Sequence, residues 1–180
     1  MKIQKISQIS TKTGDNGYSF TYSGEKIPKG DVLFEVLGDI DELSSFLGLA
    51  YHFNKSDNLI SIQRVLQRMA SMFATSFEHP NYSKLNKITD EDVSWLEAQS
   101  TKIIESNAIE AGFALPGSFS SLAGAYLDVC RAVTRRTERA ISRYLSKNKR
   151  TDLDKCFKFI NRLSDYLFIL ARSENSERTT

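Results

Sequence analysis

"FKFINRLSDYLFILAR", residues 157–172, decides the fold class. Wound as a helix, it is apolar almost all round, so most of it must be buried against other elements. The preceding chain supplies the cover. Residues 120–146 read as a long helix, and the last helix starts at Thr151, with Asp154 at the third position, and ends near Arg172. Residues 32–52 place Leu33, Leu37, Ile40, Leu43, Leu47 and Ala50 at helical intervals. Residues 57–78 repeat the pattern with Ile62, Val65, Leu66, Met69, Phe73 and Phe77. Thr89 with Asp92 three residues on predicts a capped third helix reaching Glu105. Long helices with short connections predict an all-α, five-helix antiparallel bundle. One domain is expected over residues 1–180: an irregular N-terminal arm, 1–31; the bundle, 32–173; and a tail, 174–180.

Composition narrows the function classes. The 180 residues are 41% hydrophobic and 26% charged, as in ordinary globular chains. The 24 basic and 22 acidic residues leave a net charge of +2, which favours neither nucleic acid nor a membrane surface as partner. No apolar run is long enough to span a bilayer, and "MKIQKISQIS" has no h-region of a secretory signal. Cys130 and Cys156 read as buried reduced thiols of a cytoplasmic protein. No metal site is expected: His52 and His79 lack ligand spacing, and the Glu-x-x-His pairs of a ferritin-like di-iron bundle do not occur. Walker A and G-x-G-x-x-G patterns are likewise missing.

Three polar features stand out. In the fourth helix Tyr126, Val129, Val133 and Ala140 form an apolar stripe, and Arg131, Arg135 and Glu138 fall opposite it, flanked by Arg139. That face is either solvated, with helical ion pairs, or a guanidinium cluster for phosphates. Asn161 and Asp165 stand one turn apart in the greasy last helix, either as an internal hydrogen-bonded pair or lining a cleft. In "GDIDELSSF", Asp41 lies next to the core stripe and wants a cation, which Arg131 could supply, while Asp39 and Glu42 are expected to face solvent. At the N-terminus "TKTGDNGYSF", residues 11–20, can turn sharply at Gly14 and Gly17, either as a loop that brings backbone N–H groups to an anion or as a plain hairpin before the fold starts.

Taken in order, "TKTGDNG", "GEKIPKGD", "GDIDELSSFLGLA", "FALPG", "CRAVTRRTERA" and "NRLSDYLFILAR" closely resemble the PduO-type ATP:cob(I)alamin adenosyltransferases, from about residue 11 to 172. The resemblance implies a homotrimer with active sites between subunits. It implies transfer of the 5′-deoxyadenosyl group of ATP, with Mg²⁺, to cob(I)alamin formed from cob(II)alamin. A flavin-dependent reductase and an adenosylcobalamin-dependent acceptor enzyme would be partners. By the same resemblance Thr11, Lys12, Thr13, Gly14 and Asp15 contact the nucleotide and Lys29 binds phosphate. Arg135, Arg136, Glu138 and Arg139 match an RRxER motif, and Asn161 a nucleotide-contacting asparagine. Asp41 and Arg131 match an intersubunit salt bridge, and Phe113 the aromatic ring under the corrin, with Phe119 the competing candidate. The chain departs from the family pattern at "SFSS", which replaces a glycine-rich stretch, at Asp128, where many relatives have histidine, and at Asn16 and Tyr18. A non-catalytic protein that holds or delivers ATP or adenosylcobalamin is the alternative function.

Overall fold

The computed structural model describes residues 3–10, 12–109, 112, 115, 116 and 121–176. Five helices dominate: α1 (Val32–Asn54), α2 (Asp57–Ala74), α3 (Asp90–Ser106), α4 (Leu122–Lys147) and α5 (Asp154–Ser176). Ahead of them, β1 (Tyr18–Phe20) and β2 (Lys26–Pro28) pair antiparallel, with Ser19 opposite Ile27. The expected all-α bundle is therefore present, and the arm contains a short hairpin that the helical pattern did not suggest.

Local chemistry sets the helix ends. The Asp31 carboxylate accepts from the Leu33 amide at 2.8 Å and caps α1, whose other end closes on Lys55 at φ 60°. Thr89 and Asp92 form the expected capping box of α3. α2 stops at Ala74, four residues before the apolar spacing ends. The hairpin captures its last turn: the Tyr22 amide donates to the Ala74 carbonyl, and the Ser76 amide to Ser23 Oγ at 2.7 Å. Phe77, placed in the helix by its spacing, is instead exposed beside Tyr82. A 3-10 turn, Thr151–Leu153, takes up the first residues expected of α5.

α5 packs on α3 and α4, and α1 on α2 and α4. Phe159, Ile160, Leu163, Tyr166 and Leu167 of α5 are all fully buried, as its composition requires. Val133 and Ala140 of the expected α4 stripe are buried, but the inward face is wider than its apolar residues suggest and is turned away from the other two. Leu127, Cys130, Thr134, Thr137, Ile141 and Tyr144 face the core, while Val129 is exposed and Tyr126 only half-buried. Thr134 and Thr137 are admitted because their hydroxyls donate to the Cys130 and Val133 carbonyls one turn back, at 2.8 and 3.1 Å. Both cysteines are buried and free, and burial pushes their thiols up to about 12, so they stay protonated.

A polar knot closes one end of the bundle. Arg150 donates to both Asp152 oxygens and, at 3.2 Å, to the Met72 carbonyl; the Tyr82 hydroxyl also donates to Asp152. Burial alone would raise the Asp152 carboxyl, but the bonds from Arg150 and Tyr82 outweigh it and hold the group below its ordinary value. Because the folded-state pKa is depressed, this contribution is complete above the unfolded carboxylate value and fades as pH falls through the folded one. Asp152→Asn is expected to cost about 2–3 kcal/mol at neutral pH by leaving Arg150 underpaired. Its denaturation midpoint should also fall less steeply with acid than that of the parent, below about pH 4. Urea melts across pH check both; identical acid limbs would remove Asp152 from the account.

Candidate active site

The expected site residues fall into two groups. The first is the turn before the hairpin. The Asp15 amide donates to the Lys12 carbonyl and the Gly17 amide to the Gly14 carbonyl, both at 3.3 Å, and the Lys29 amide returns to the Gly17 carbonyl at 2.9 Å. Only Gly17 of the two loop glycines uses positive φ, at 80°. Gly14 serves a different need: a Cβ there would lie 2.8 Å from the Lys29 ammonium nitrogen. Turn and lysine thus share one small volume that sets a cation against a tightly folded loop backbone, a composition suited to an anion. Lys12, Asp15 and Lys29 are exposed. Gly14→Ala is expected to leave the fold intact, since the lysine tip can move, but to displace the ammonium; if the turn contacts ATP, as the resemblance implies, KM for ATP should rise about tenfold. An unchanged KM would separate Lys29 from the nucleotide.

The second group lies on α4 and α5. Arg135 and Arg139 are exposed on α4. Between them Glu138 accepts from Asn161 Nδ2 of α5 at 2.8 Å, and Asn161 Oδ1 accepts from Arg162 at 2.8 Å. Asn161 therefore pairs with Glu138 and not with Asp165, which is exposed. The polar pair in the greasy helix joins two helices beside the arginine face.

Two expectations on α1 need correction. Asp39 does not face solvent: its side chain is 13% exposed and accepts from Arg136 Nε at 3.2 Å, and the same guanidinium pairs with half-exposed Glu42. Their i,i+3 spacing on one helical face was the signal, and a partner on α4 was what the sequence could not supply. Asp41 makes no pair with Arg131 within the chain. It is exposed at the rim of an α1/α2 groove of about 460 Å³ that also holds Arg64. Arg131 instead donates to Asp128 at 3.4 Å, and buried Asp128 also receives Arg172 at 3.3 Å. Thr11, Phe113 and Phe119 lie outside the described residues.

A second cavity of about 570 Å³ lies at the base of the hairpin, lined by Phe73, Tyr144 and Arg150 among others, and none of the expected site residues reaches it. Among the described residues no group of three His, Cys, Asp or Glu could hold a metal ion. No helix there is long and apolar enough to cross a membrane.

The five-helix bundle thus carries an exposed arginine face backed by a Glu–Asn bridge and, apart from it, a glycine–lysine turn. The chain belongs to the cobalamin adenosyltransferase family, whose profile matches residues 9–174. It is 37% identical to the corrinoid adenosyltransferase MMAB of Homo sapiens over 95% of this chain and 70% of that one. It is 34% identical to a corrinoid adenosyltransferase of Citrobacter freundii over 94% of this chain and 96% of that one. Among solved structures it resembles a variant PduO-type ATP:corrinoid adenosyltransferase from Lactobacillus reuteri complexed with cobalamin and ATP. The TM-score is 0.83 at 29% identity, covering 93% of each chain.

Proposed function

We infer that this protein transfers the 5′-deoxyadenosyl group of ATP to cob(I)alamin, giving adenosylcobalamin and triphosphate. The observation that carries the reading is the arginine face, Arg135 and Arg139 around the Glu138–Asn161 bridge, within a chain of this family. Cobalt of the substrate is the nucleophile. Its electron pair forms the Co–C5′ bond while the C5′–O bond breaks, and triphosphate leaves with the bonding pair of that C–O bond. No side chain has to attack. The protein holds C5′ in line and stabilises charge growing on the leaving group, a task for fixed guanidinium, ammonium and amide donors. Lys29 and the Gly14 turn, with Thr11, Lys12, Thr13 and Asp15, would hold one part of the nucleotide. Arg135 and Arg139 would hold the triphosphate, and Asn161 would contact the nucleotide from the bridge. The described residues offer no cluster for Mg²⁺, which would therefore arrive on the phosphates of MgATP with its own waters.

We place the complete site between copies of the chain in a homotrimer. Leu49, Phe53, Leu122 and Val129 are exposed along the α1/α4 side, with Phe53 stacked on Tyr126 at 4.9 Å. An apolar strip of this kind suits a second copy. Asp41, unpaired with Arg131 inside the chain, would meet Arg131 of the neighbouring copy. Phe113 would cover the lower face of the corrin. Two protonated, buried thiols suit a reducing cytoplasm, where a flavin-dependent reductase would supply cob(I)alamin and an acceptor enzyme would take the product.

An anaerobic assay with chemically reduced cobalamin and MgATP tests the function. Adenosylcobalamin and triphosphate should appear in equal amounts over many turnovers. Binding of both substrates without product would leave only a holding or delivery role.

A further inference from the structure

Arg136 follows Arg135 in α4, about 100° further round the helix. Its guanidinium bridges two carboxylates of α1: Nε to Asp39 at 3.2 Å and Nη2 to Glu42. The Thr137 hydroxyl also points to the Asp39 carbonyl at 3.4 Å. Asp39 Oδ2 is buried with no hydrogen-bond partner, so the Arg136 charge is what offsets the desolvation of this carboxylate. Two residues further on, Glu138 is tied to Asn161 of α5. The short stretch 135–139 is thereby held to α1 on one side and to α5 on the other. Arg135 and Arg139 are exposed on it, while the half-exposed Arg136 is engaged by the two α1 carboxylates.

We propose that Asp39 and Glu42 are positioning residues for adenosyl transfer. They act through Arg136, which is a structural fork and not a phosphate ligand, to fix the α4 stretch from which Arg135 and Arg139 reach the triphosphate. The proposal rests on the reading of that arginine face as the phosphate site. The chemistry favours arginine at position 136. A planar fork can serve two carboxylates at once from fixed positions, whereas a lysine ammonium is a point charge on a flexible stem. Transfer is sensitive to such fixing, because a misplacement of about 1 Å can cost about 10²-fold in rate. Free ATP binding is less sensitive, since flexible arginine ends still find phosphate oxygens.

The test compares Asp39→Asn/Glu42→Gln, Arg136→Met and the triple variant with Arg135→Ala. Each is assayed for kcat and KM with MgATP and cob(I)alamin, for ATP affinity by calorimetry, and for thermal midpoint. The double variant should lose about tenfold in kcat with ATP affinity within about twofold of the parent. Arg136→Met should lose the same, and the triple variant no more, because all three remove one device. Tighter ATP binding in the double variant would mean that the released Arg136 reaches phosphate, which overturns the proposal. A lower melting point with unchanged kcat would reduce the clamp to a stabilising contact and also overturn it. Should the double variant fail to fold, the isosteric Asp39→Asn alone must give the kcat loss. Arg135→Ala separates the two readings: if it turns over normally, the phosphate site itself is misplaced. If it is crippled while the double variant is normal, only the positioning role falls.

Discussion

Arg135→Ala should lower kcat/KM for ATP by about 10²–10³ while the protein remains folded and assembled. The residue is exposed on α4, and the core side of that helix is built from Leu127, Cys130, Thr134, Thr137 and Ile141. Truncation therefore opens no core cavity. On the proposed reading it removes a charge-assisted donor to the leaving triphosphate, worth about 3–4 kcal/mol at the transition state. Neighbouring Arg136 cannot stand in, being held by Asp39 and Glu42. Arg135→Lys should recover part of the loss, since the charge returns without the fork. Steady-state kinetics with a circular-dichroism melt decide it. A folded Arg135→Ala variant with near-normal kcat/KM would return the face to solvent-exposed ion pairs.

Phe113→Ala should strike a different step. If the ring fills the lower face of the corrin, it keeps water and the cofactor's own base off cobalt, which makes cob(II)alamin easier to reduce. Adenosylation starting from cob(II)alamin and a reductant should fall by about 10²-fold or more, whereas chemically prepared cob(I)alamin should be adenosylated with a smaller loss. ATP affinity should survive, because the proposed phosphate ligands lie on α4 and at the hairpin. Spectra of bound cob(II)alamin with ATP should lose the four-coordinate signature. If Phe119→Ala abolishes that signature and Phe113→Ala keeps it, the role belongs to Phe119. If neither does, lower-face exclusion does not operate in this protein.

Legibility followed the range of the interactions. Helix caps are local, so the Thr89–Asp92 box stood in the sequence as it stands in the structure. The burial of α5 was legible because its apolar residues leave few alternatives. The inward face of α4 was legible only at Val133 and Ala140, because Thr134 and Thr137 look polar until their hydroxyls are seen bonded to the preceding turn. The end of α2 was missed because a hairpin from residues 18–28 sets it, far away in sequence. In the site, Arg135, Glu138, Arg139 and Asn161 could be picked out by spacing and resemblance, but the Glu138–Asn161 bond joins helices whose packing spacing does not give. Asp39 looked like a surface acid, and the long-range partner Arg136 made it an interior one. Gly14 looked like a turn glycine, but its φ is not positive, and the approach of Lys29 is what leaves no room for a side chain.

If the site lies between copies, as proposed, the glycine–lysine turn of one copy and the arginine face of a neighbouring one would make one adenosyl-transfer site. Subunit mixing tests it most directly. Lys29→Ala and Arg135→Ala should each be nearly inactive alone. Mixed at equal amounts, unfolded together and refolded, they should regain about a quarter of parental activity, because random assembly puts an intact turn beside an intact face at about one site in four. Native mass spectrometry would confirm that mixed trimers formed. Mixed trimers with no recovered activity would contradict the shared site and place both halves in a single chain.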